Sequence, residues 1–279
     1  MYPDLSIVWK AGCEVVDRFG LTIEAPTVLN PDVIDPIADV VLTAHAPYSD
    51  SLGRFSIGDV NDAVREDAVG KITNYIEEAV QRFPKLQKVN MHCSPKRWAS
   101  ETRPLAGDYE RLIDAVRQLS DVAAKHNIEL MLENNRAYWE DVSDDLSPDQ
   151  VDRETQNDYF GVAPEEWRQI QKDVDRSNVF LCLDPSHACT YAQVFVENEK
   201  REAVMMAYLD AGDALQHFHW NGNDLLSPVG RKDSHMCIGT DTLPVAFHRR
   251  IKNWRATLLL EHFYSVEELD TELAYIQQL

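Results

Sequence analysis

The chain lacks the features that would tie it to a membrane or to a disulfide-stapled scaffold. No apolar run approaches the roughly 18 residues that a membrane-spanning helix needs. The first ten residues have no basic segment followed by an apolar core, so we expect no signal peptide. The five cysteines are odd in number and scattered, which is typical of reduced thiols. We therefore predict a cytoplasmic protein without a membrane partner.

Basic residues are also few. The 279 residues include 27 Lys and Arg against 47 Asp and Glu, which gives a formal net charge of −20. Phosphate backbones are bound mainly through Lys and Arg, so this balance argues against a protein that simply adheres to nucleic acid. A local cationic cleft remains compatible with it, because bound divalent ions would add positive charge at a site.

Nothing in the sequence marks a domain boundary, because it has no low-complexity tract, short repeat or linker rich in Gly, Ser and Pro. The length would fit two smaller domains. It also fits one (β/α)₈ barrel, which typically takes about 250 residues. We predict a single domain over residues 1–279.

Short β-rich runs alternate with amphipathic helical stretches along almost the whole chain. The runs at 40–42, 179–181 and 258–260 are apolar without alternation, which is typical of parallel strands covered on both faces. The predicted strands are 6–10, 21–25, 40–45, 88–93, 128–133, 179–184, 215–220 and 257–261. The predicted helices include 62–83, 108–126, 164–174, 194–211, 242–252 and 266–279. A helix after nearly every strand, with right-handed crossovers, predicts the α/β class and a (β/α)₈ TIM barrel.

An acidic and aromatic segment at about 134–162 follows the fifth predicted strand and shows no clear period. It contains Tyr138, Trp139, Tyr159 and Phe160. Long loops in compact domains are often functional. Two interpretations stay open, a loop or lid that overhangs the rim of the barrel and a solvated linker.

Imidazoles and carboxylates recur at or just beyond the C-terminal ends of the predicted strands. In a barrel of parallel strands that end carries the chemistry. Side chains of this kind on one rim would hold more than one divalent ion, and ligation rich in imidazole favours zinc, manganese or iron over magnesium. The nine candidate ligands are His45, His92, Glu133, Asp184, His187, His219, Asp233, His235 and Glu261.

Two short motifs within this set are the most specific. Asp184 ends a predicted strand and a Pro-Ser turn separates it from His187, so both side chains can point into one cavity. Asp233 and His235 are two residues apart, which places both on one face of an extended backbone.

Two chemistries fit such a rim, and the residues alone leave both open. Two or three close ions would lower the pKa of a bridging water to make hydroxide and would stabilise the leaving oxygen of a phosphoester. Fewer ions would clamp the adjacent oxygens of a keto or hydroxy sugar while a carboxylate, Glu133 or Glu261, moves a proton between carbons. A barrel that binds a ligand without turnover is a third option.

With these motifs the chain resembles the xylose-isomerase-like barrel superfamily over nearly its whole length. Its candidate site is most similar to that of the endonuclease IV family of apurinic/apyrimidinic endonucleases. The resemblance implies up to three zinc ions, and manganese also suits the donors. The implied ligand groups are His45, His92 and Glu133; Glu133, Asp184, His219 and Glu261; and His187, Asp233 and His235.

The resemblance also implies a function. Tyr48, three residues after His45, matches a tyrosine that lies against DNA in that family, so we predict that it binds substrate. The first hypothesis is a metal-dependent hydrolase of a phosphoester, in abasic nucleic acid or a small molecule. The alternative is a sugar or sugar-phosphate isomerase or epimerase in which the metal is held by Glu133, Asp184, His219 and Glu261.

Overall fold

The computed structural model describes residues 4–99, 104–137, 150, 158–227 and 232–279. Parallel strands close into an eight-stranded barrel. They are β1 (Leu5–Val8), β2 (Thr22–Ala25), β3 (Val41–His45), β4 (Lys88–His92), β5 (Glu129–Glu133), β6 (Val179–Leu183), β7 (Leu215–Trp220) and β8 (Thr257–Leu260). Each strand pairs with its chain neighbours, and β8 closes the barrel against β1. The predicted TIM barrel is confirmed.

The predicted strands agree with the observed ones to within two residues at each end. The small differences have local causes. The first strand stops early because Trp9–Ala11 turns into a 3₁₀ helix. The sixth stops at Leu183 because Asp184 already caps the helix that follows it.

Helices cover the outside of the barrel. They are α1 (Gly12–Phe19), α2 (Pro31–Ile34), α3 (Asp62–Arg82), α4 (Tyr109–Ala124), α5 (Pro164–Val174), α6 (Pro185–Ala192), α7 (Asn198–Tyr208), α8 (Val245–Lys252) and α9 (Val266–Gln278). The predicted stretch 194–211 contains α7 and part of a 3₁₀ helix, Leu209–Ala214. The sequence-based list omitted α6, because its start was interpreted as a turn. No helix within the described ranges is long and apolar enough to cross a membrane.

Side chains of the strands alternate between two different environments. Along β5, Leu130 and Leu132 are fully buried in the main apolar core, and Glu133 projects to the opposite face. Several buried side chains of the other face are polar, and contacts between them link strands that are not neighbours. Glu24 of β2 reaches His217 of β7, for example. Such contacts cross the inside of the barrel, so its interior is partly polar and leads towards the rim.

The C-terminal rim carries two small antiparallel sheets. Ser49–Asp50 pairs with Gly53–Arg54 just after β3, and Pro95–Trp98 pairs with both Leu105–Ala106 and Asp158–Tyr159. Both sheets are formed by segments that follow β3, β4 and β5, so they lie on that side of the C-terminal rim.

The segment predicted as an insertion is described near its two ends. Asn134 is buried and exchanges hydrogen bonds with Asp184, donating from Nδ2 to the carbonyl oxygen at 3.0 Å and accepting the amide at 2.7 Å. Tyr159 and Phe160 at the other end are also buried. Tyr138 and Trp139 lie outside the described residues. The two described ends are packed against the barrel rather than solvated, and the lid stays a prediction.

Leu130→Ala should lower the free energy of unfolding by about 2–5 kcal/mol, because it removes fully buried methyl groups and leaves a cavity. Leu52→Ala is the matched control. Leu52 is 63% exposed, so its truncation should change the free energy by no more than about 0.5 kcal/mol. Denaturant titration followed by circular dichroism measures both. Equal losses in the two variants would contradict the placement of Leu130 in the core.

Candidate metal centre

Glu133 lies at the centre of the rim cluster. It is the last residue of β5, and its side chain is 1% exposed. Oε2 lies 3.4 Å from His45 Nε2 and 3.2 Å from His92 Nε2. Oε1 lies 3.2 Å from His187 Nδ1 and 3.5 Å from His219 Nδ1. One buried carboxylate therefore faces four imidazoles from four elements of the barrel.

The parallel register explains how these groups meet. His92 is directly opposite Glu133 in the β4–β5 pair, and His45 is opposite Asn90 in the β3–β4 pair. Asn90 lies two residues before His92 on the same face, and its amide donates to Glu133 Oε2. The strand ends thus place two histidines above a carboxylate that an amide holds from below.

Asp184 approaches from β6 as the N-cap of α6. Its Oδ1 accepts the backbone amides of Ser186 at 2.6 Å and His187 at 3.1 Å, and Pro185 occupies the first helical turn. This cap leaves Oδ2 without a hydrogen bond, 3.8 Å from both His187 Nδ1 and His235 Nε2. The Asp-Pro-Ser-His motif therefore directs one carboxylate oxygen and one imidazole into the cavity.

Asp233 lies between two histidines. Its Oδ2 is 3.3 Å from His187 Nε2, and its Oδ1 is 3.0 Å from His235 Nε2. The other ring nitrogen of His235 lies 3.3 Å from Glu261 Oε2, which is also 3.3 Å from His219 Nδ1. With these contacts, all nine residues predicted from the sequence lie in one cluster.

The spacing of the donors fits divalent ions. Two ligands about 2.1 Å from a tetrahedral zinc ion lie roughly 3.4 Å apart, close to most of the separations in the cluster. Among the described residues, Glu133 Oε1, Asp184 Oδ2, Asp233 Oδ1 and both ring nitrogens of His219 are buried without a hydrogen-bond partner. Three donor groups each lie within 4.8 Å: His45, His92 and Glu133; Glu133, Asp184 and His219; and Asp184, His187 and His235. Buried polar atoms left unpaired in this way are what a cation would satisfy.

The electrostatics of the cluster point the same way. Burial raises the pKa of Asp184 to about 7, and the carboxylates of Glu261 and Asp233 add to the rise against the opposing effect of His187. Burial also disfavours the charge of Glu133, but the nearby imidazoles of His219 and His92 bring its pKa well below the usual range. The carboxylates are thus crowded in a buried site, where a divalent cation would offset their repulsion.

Two residues beneath this cluster, Glu24 and His217, are not among the nine predicted ligands. Glu24 Oε1 of β2 lies 3.3 Å from His219 Nε2, and Glu24 Oε2 lies 3.2 Å from His217 Nε2. Glu24 lies one residue before the end of its strand and therefore does not match the pattern of donors at strand ends. The available signal was an acidic residue between Ile23 and Ala25 in a run predicted to be a strand.

A second His–Glu cluster lies outside the rim and has a different character. His262 Nε2 is 2.9 and 2.8 Å from the two oxygens of Glu272, and Glu272 Oε1 also accepts the amide of Ile238 at 2.6 Å. These are direct hydrogen-bond lengths. Cys237 lies near enough to complete a ligand set. The His262–Glu272 pair is nevertheless hydrogen-bonded directly, so it connects α9 to the segment after β8 and is not an open metal site.

A cavity of about 510 Å³ opens above the cluster. Its wall includes Tyr48, whose ring stacks on His92 with centroids 4.8 Å apart and an interplanar angle of 5°. The guanidinium of Arg54 lies 5.4 Å from the Tyr48 ring and 5.3 Å from the Trp98 ring. The predicted substrate-binding tyrosine is therefore in the cavity wall, between a candidate ligand and a cation.

Comparison with known proteins identifies the family of this barrel. A model of the xylose isomerase-like TIM barrel family matches residues 37–279. The chain belongs to this family. A curated relative, an uncharacterized protein of Methanocaldococcus jannaschii, is 22% identical over 201 residues, which are 72% of this chain. The chain spans 56% of the length of that relative.

Solved structures of the xylose isomerase-like fold are similar over nearly the whole chain. A D-tagatose 3-epimerase-like protein has a TM-score of 0.67 at 18% identity, covering 99% of this chain and 98% of its own. D-psicose 3-epimerase from Clostridium cellulolyticum H10 has a TM-score of 0.65 at 13% identity, with coverage of 99% and 98%. A Thermus thermophilus protein soaked with zinc chloride has a TM-score of 0.64 at 16% identity, with coverage of 99% and 97%. At these identities the likeness is one of fold.

Zinc or manganese should raise the melting temperature of the metal-free protein. Binding to the folded state alone adds about 2.7 kcal/mol of stability at a ligand concentration one hundred times the dissociation constant. Differential scanning fluorimetry with each metal, against an EDTA-treated sample, measures the shift. Asp184→Asn keeps the helix cap but removes a charged donor, so its shift should be smaller. No shift with either metal would contradict the metal centre.

Proposed function

We propose that this chain is a divalent-metal-dependent isomerase or epimerase of a sugar or sugar phosphate. The observation that carries the proposal is the convergence of Glu133 and Glu261 on one imidazole nitrogen. Their oxygens lie 3.5 and 3.3 Å from His219 Nδ1. Two carboxylates that share one ion are suited to exchanging protons with a substrate bound to that ion.

The cavity supports a small substrate. Its volume of about 510 Å³ lies within the roughly 300–1,000 Å³ of typical small-molecule pockets. The D-tagatose 3-epimerase-like protein and D-psicose 3-epimerase share the fold over 99% of this chain, which supports a sugar as the substrate class. Arg54, Lys10 and Arg136 line the cavity, and a phosphate or hydroxyl oxygen would suit them as a partner.

The mechanism follows from the donor set. Glu133, Asp184, His219 and Glu261 would hold the ion, which supplies Lewis acidity at the oxygens of a keto or hydroxy sugar. One of the two carboxylates, Glu133 or Glu261, would accept the proton of the carbon beside the carbonyl, and the other would return a proton to the opposite face. Tyr48, held against His92, closes one side of the cavity and would limit the orientation of the sugar.

A second candidate is hydrolysis of a phosphoester. The specific observation that favours it is the group formed by His187, Asp233 and His235, in which Asp233 lies between the two rings at 3.3 and 3.0 Å. These three residues add donors beyond the four that the isomerase needs. They would allow further ions, as the similarity to the endonuclease IV family implies.

Glu133→Gln and Glu261→Gln should each lower turnover by at least about 10²-fold, because each removes a proton-transfer group. The manganese-loaded protein is incubated with D-tagatose, D-fructose and their phosphates in deuterated water. Nuclear magnetic resonance then follows epimer formation and deuterium at the exchanged carbon. Leu52→Ala serves as the surface control, and metal content is measured in every variant. Turnover that persists in both glutamine variants would contradict the assigned roles.

Asp233→Asn separates the two candidate functions. An isomerase that uses the four-residue set should keep one ion per chain and most of its turnover in this variant. A multinuclear phosphoesterase should lose metal and activity together. Metal counting by mass spectrometry and cleavage of an abasic-site oligonucleotide measure the two outcomes. Three tightly bound ions in the unaltered protein, with cleavage, would overturn the isomerase in favour of the hydrolase.

A further inference from the structure

A chain of polar contacts crosses the barrel from its base to the rim. Lys88 Nζ lies 3.2 Å from Thr257 Oγ1, which lies 2.7 Å from His217 Nδ1. His217 Nε2 lies 3.2 Å from Glu24 Oε2, and Glu24 Oε1 lies 3.3 Å from His219 Nε2. All five side chains are at least nine-tenths buried. The chain ends on a ring whose other nitrogen faces the metal centre.

The chain begins at a group that only donates and reaches one that only accepts. A lysine ammonium only donates and an ionised carboxylate only accepts. Lys88 therefore donates to the Thr257 hydroxyl and to the carbonyl oxygen of Gln216. The Thr257 hydroxyl lies 3.3 Å from that carbonyl oxygen and 2.7 Å from His217 Nδ1, which is also 3.2 Å from the Thr257 carbonyl oxygen. Because the Glu24 carboxylate only accepts, its contact with His217 Nε2 requires a hydrogen on that nitrogen.

Glu24 has one oxygen left for His219. Its Oε2 already accepts from His217 and, at 2.7 Å, from the hydroxyl of Thr43. Among the hydrogen bonds and ion pairs of the described residues, Oε1 faces only His219 Nε2. The two atoms are 3.3 Å apart in an ion-pair contact, and Nε2 is buried without a hydrogen bond to another group. Cys182 is also close to His219, but a cysteine sulfur is a weak acceptor. The carboxylate oxygen is thus the natural acceptor for a hydrogen on Nε2.

We propose that Glu24 is a positioning residue for the metal centre. It accepts the Nε2 hydrogen of His219 and so leaves the Nδ1 lone pair directed at the site shared with Glu133 and Glu261. Thr43, His217, Thr257 and Lys88 hold the carboxylate in place. A ligand histidine oriented by a buried carboxylate binds metal more tightly than a free one, and loss of such a partner typically weakens affinity about 10–100-fold. This inference rests on the proposed metal centre, and it applies whichever reaction the centre performs.

Zinc affinity, measured by competition with a chromophoric chelator, tests the proposal. Glu24→Gln keeps the size of the side chain but removes its charge, and we expect affinity to fall about 10–100-fold. Glu272→Gln is the matched control. It neutralises another buried glutamate that pairs with a histidine, His262, but it has no contact with His219, so its zinc affinity should equal that of the unaltered protein. Equal affinity in Glu24→Gln and the unaltered protein would overturn the proposal.

The ring nitrogens of His219 give a second readout. In the zinc-loaded, nitrogen-15-labelled protein, we expect the hydrogen on Nε2, protected from exchange, and Nδ1 bound to metal. Glu24→Gln should speed that exchange, whereas a purely structural role would not. A hydrogen on Nδ1 in the unaltered protein would overturn the proposal even if no Glu24 variant folds.

Tight zinc binding that depends on Glu24, without sugar turnover, would overturn the proposed function and leave this inference standing. Absence of zinc binding by the unaltered protein would overturn both.

Discussion

The rest of the site depends on the burial of one carboxylate. A charged glutamate with 1% exposure is stable only when nearby groups replace the water it has lost. Four imidazoles and one amide provide this around Glu133, and they come from three other strands and one helix. A closed parallel barrel is a fold that can supply these groups, because all of its strand ends meet at one rim. The fold and the site are therefore two consequences of the same packing.

Features that repeat along the chain were predictable from the sequence. Buried parallel strands read as apolar runs, and their C-terminal residues fall on a common rim, so the barrel and the donors at its strand ends followed from local patterns. The roles of Glu24 and His217 could not be predicted in this way, because they depend on the contact between these two residues. They are 193 residues apart in the chain, and the contact between them crosses the barrel interior. No local period records a pairing of that kind.

The same reasoning explains the errors at helix starts. Asp184 was assigned to a strand because it follows Leu183 in an apolar run, yet its side chain accepts two backbone amides and begins α6. One oxygen thereby serves the fold and the other serves the site. An aspartate at this position is typical both of a helix N-cap and of a metal ligand. The sequence cannot distinguish these two roles, because one carboxylate performs both.

Burying polar and charged side chains beneath the rim costs free energy unless each of them has a partner. Burying Lys88, Glu24 and His217 would be unfavourable if any of them lacked a partner. Their contacts instead form one connected series, which ends at an imidazole of the candidate centre. An apolar filling would give a more stable barrel in the usual case. The polar filling is best understood as the support that holds one ring nitrogen in a fixed state, because orientation of a ligand, rather than stability, is what it adds.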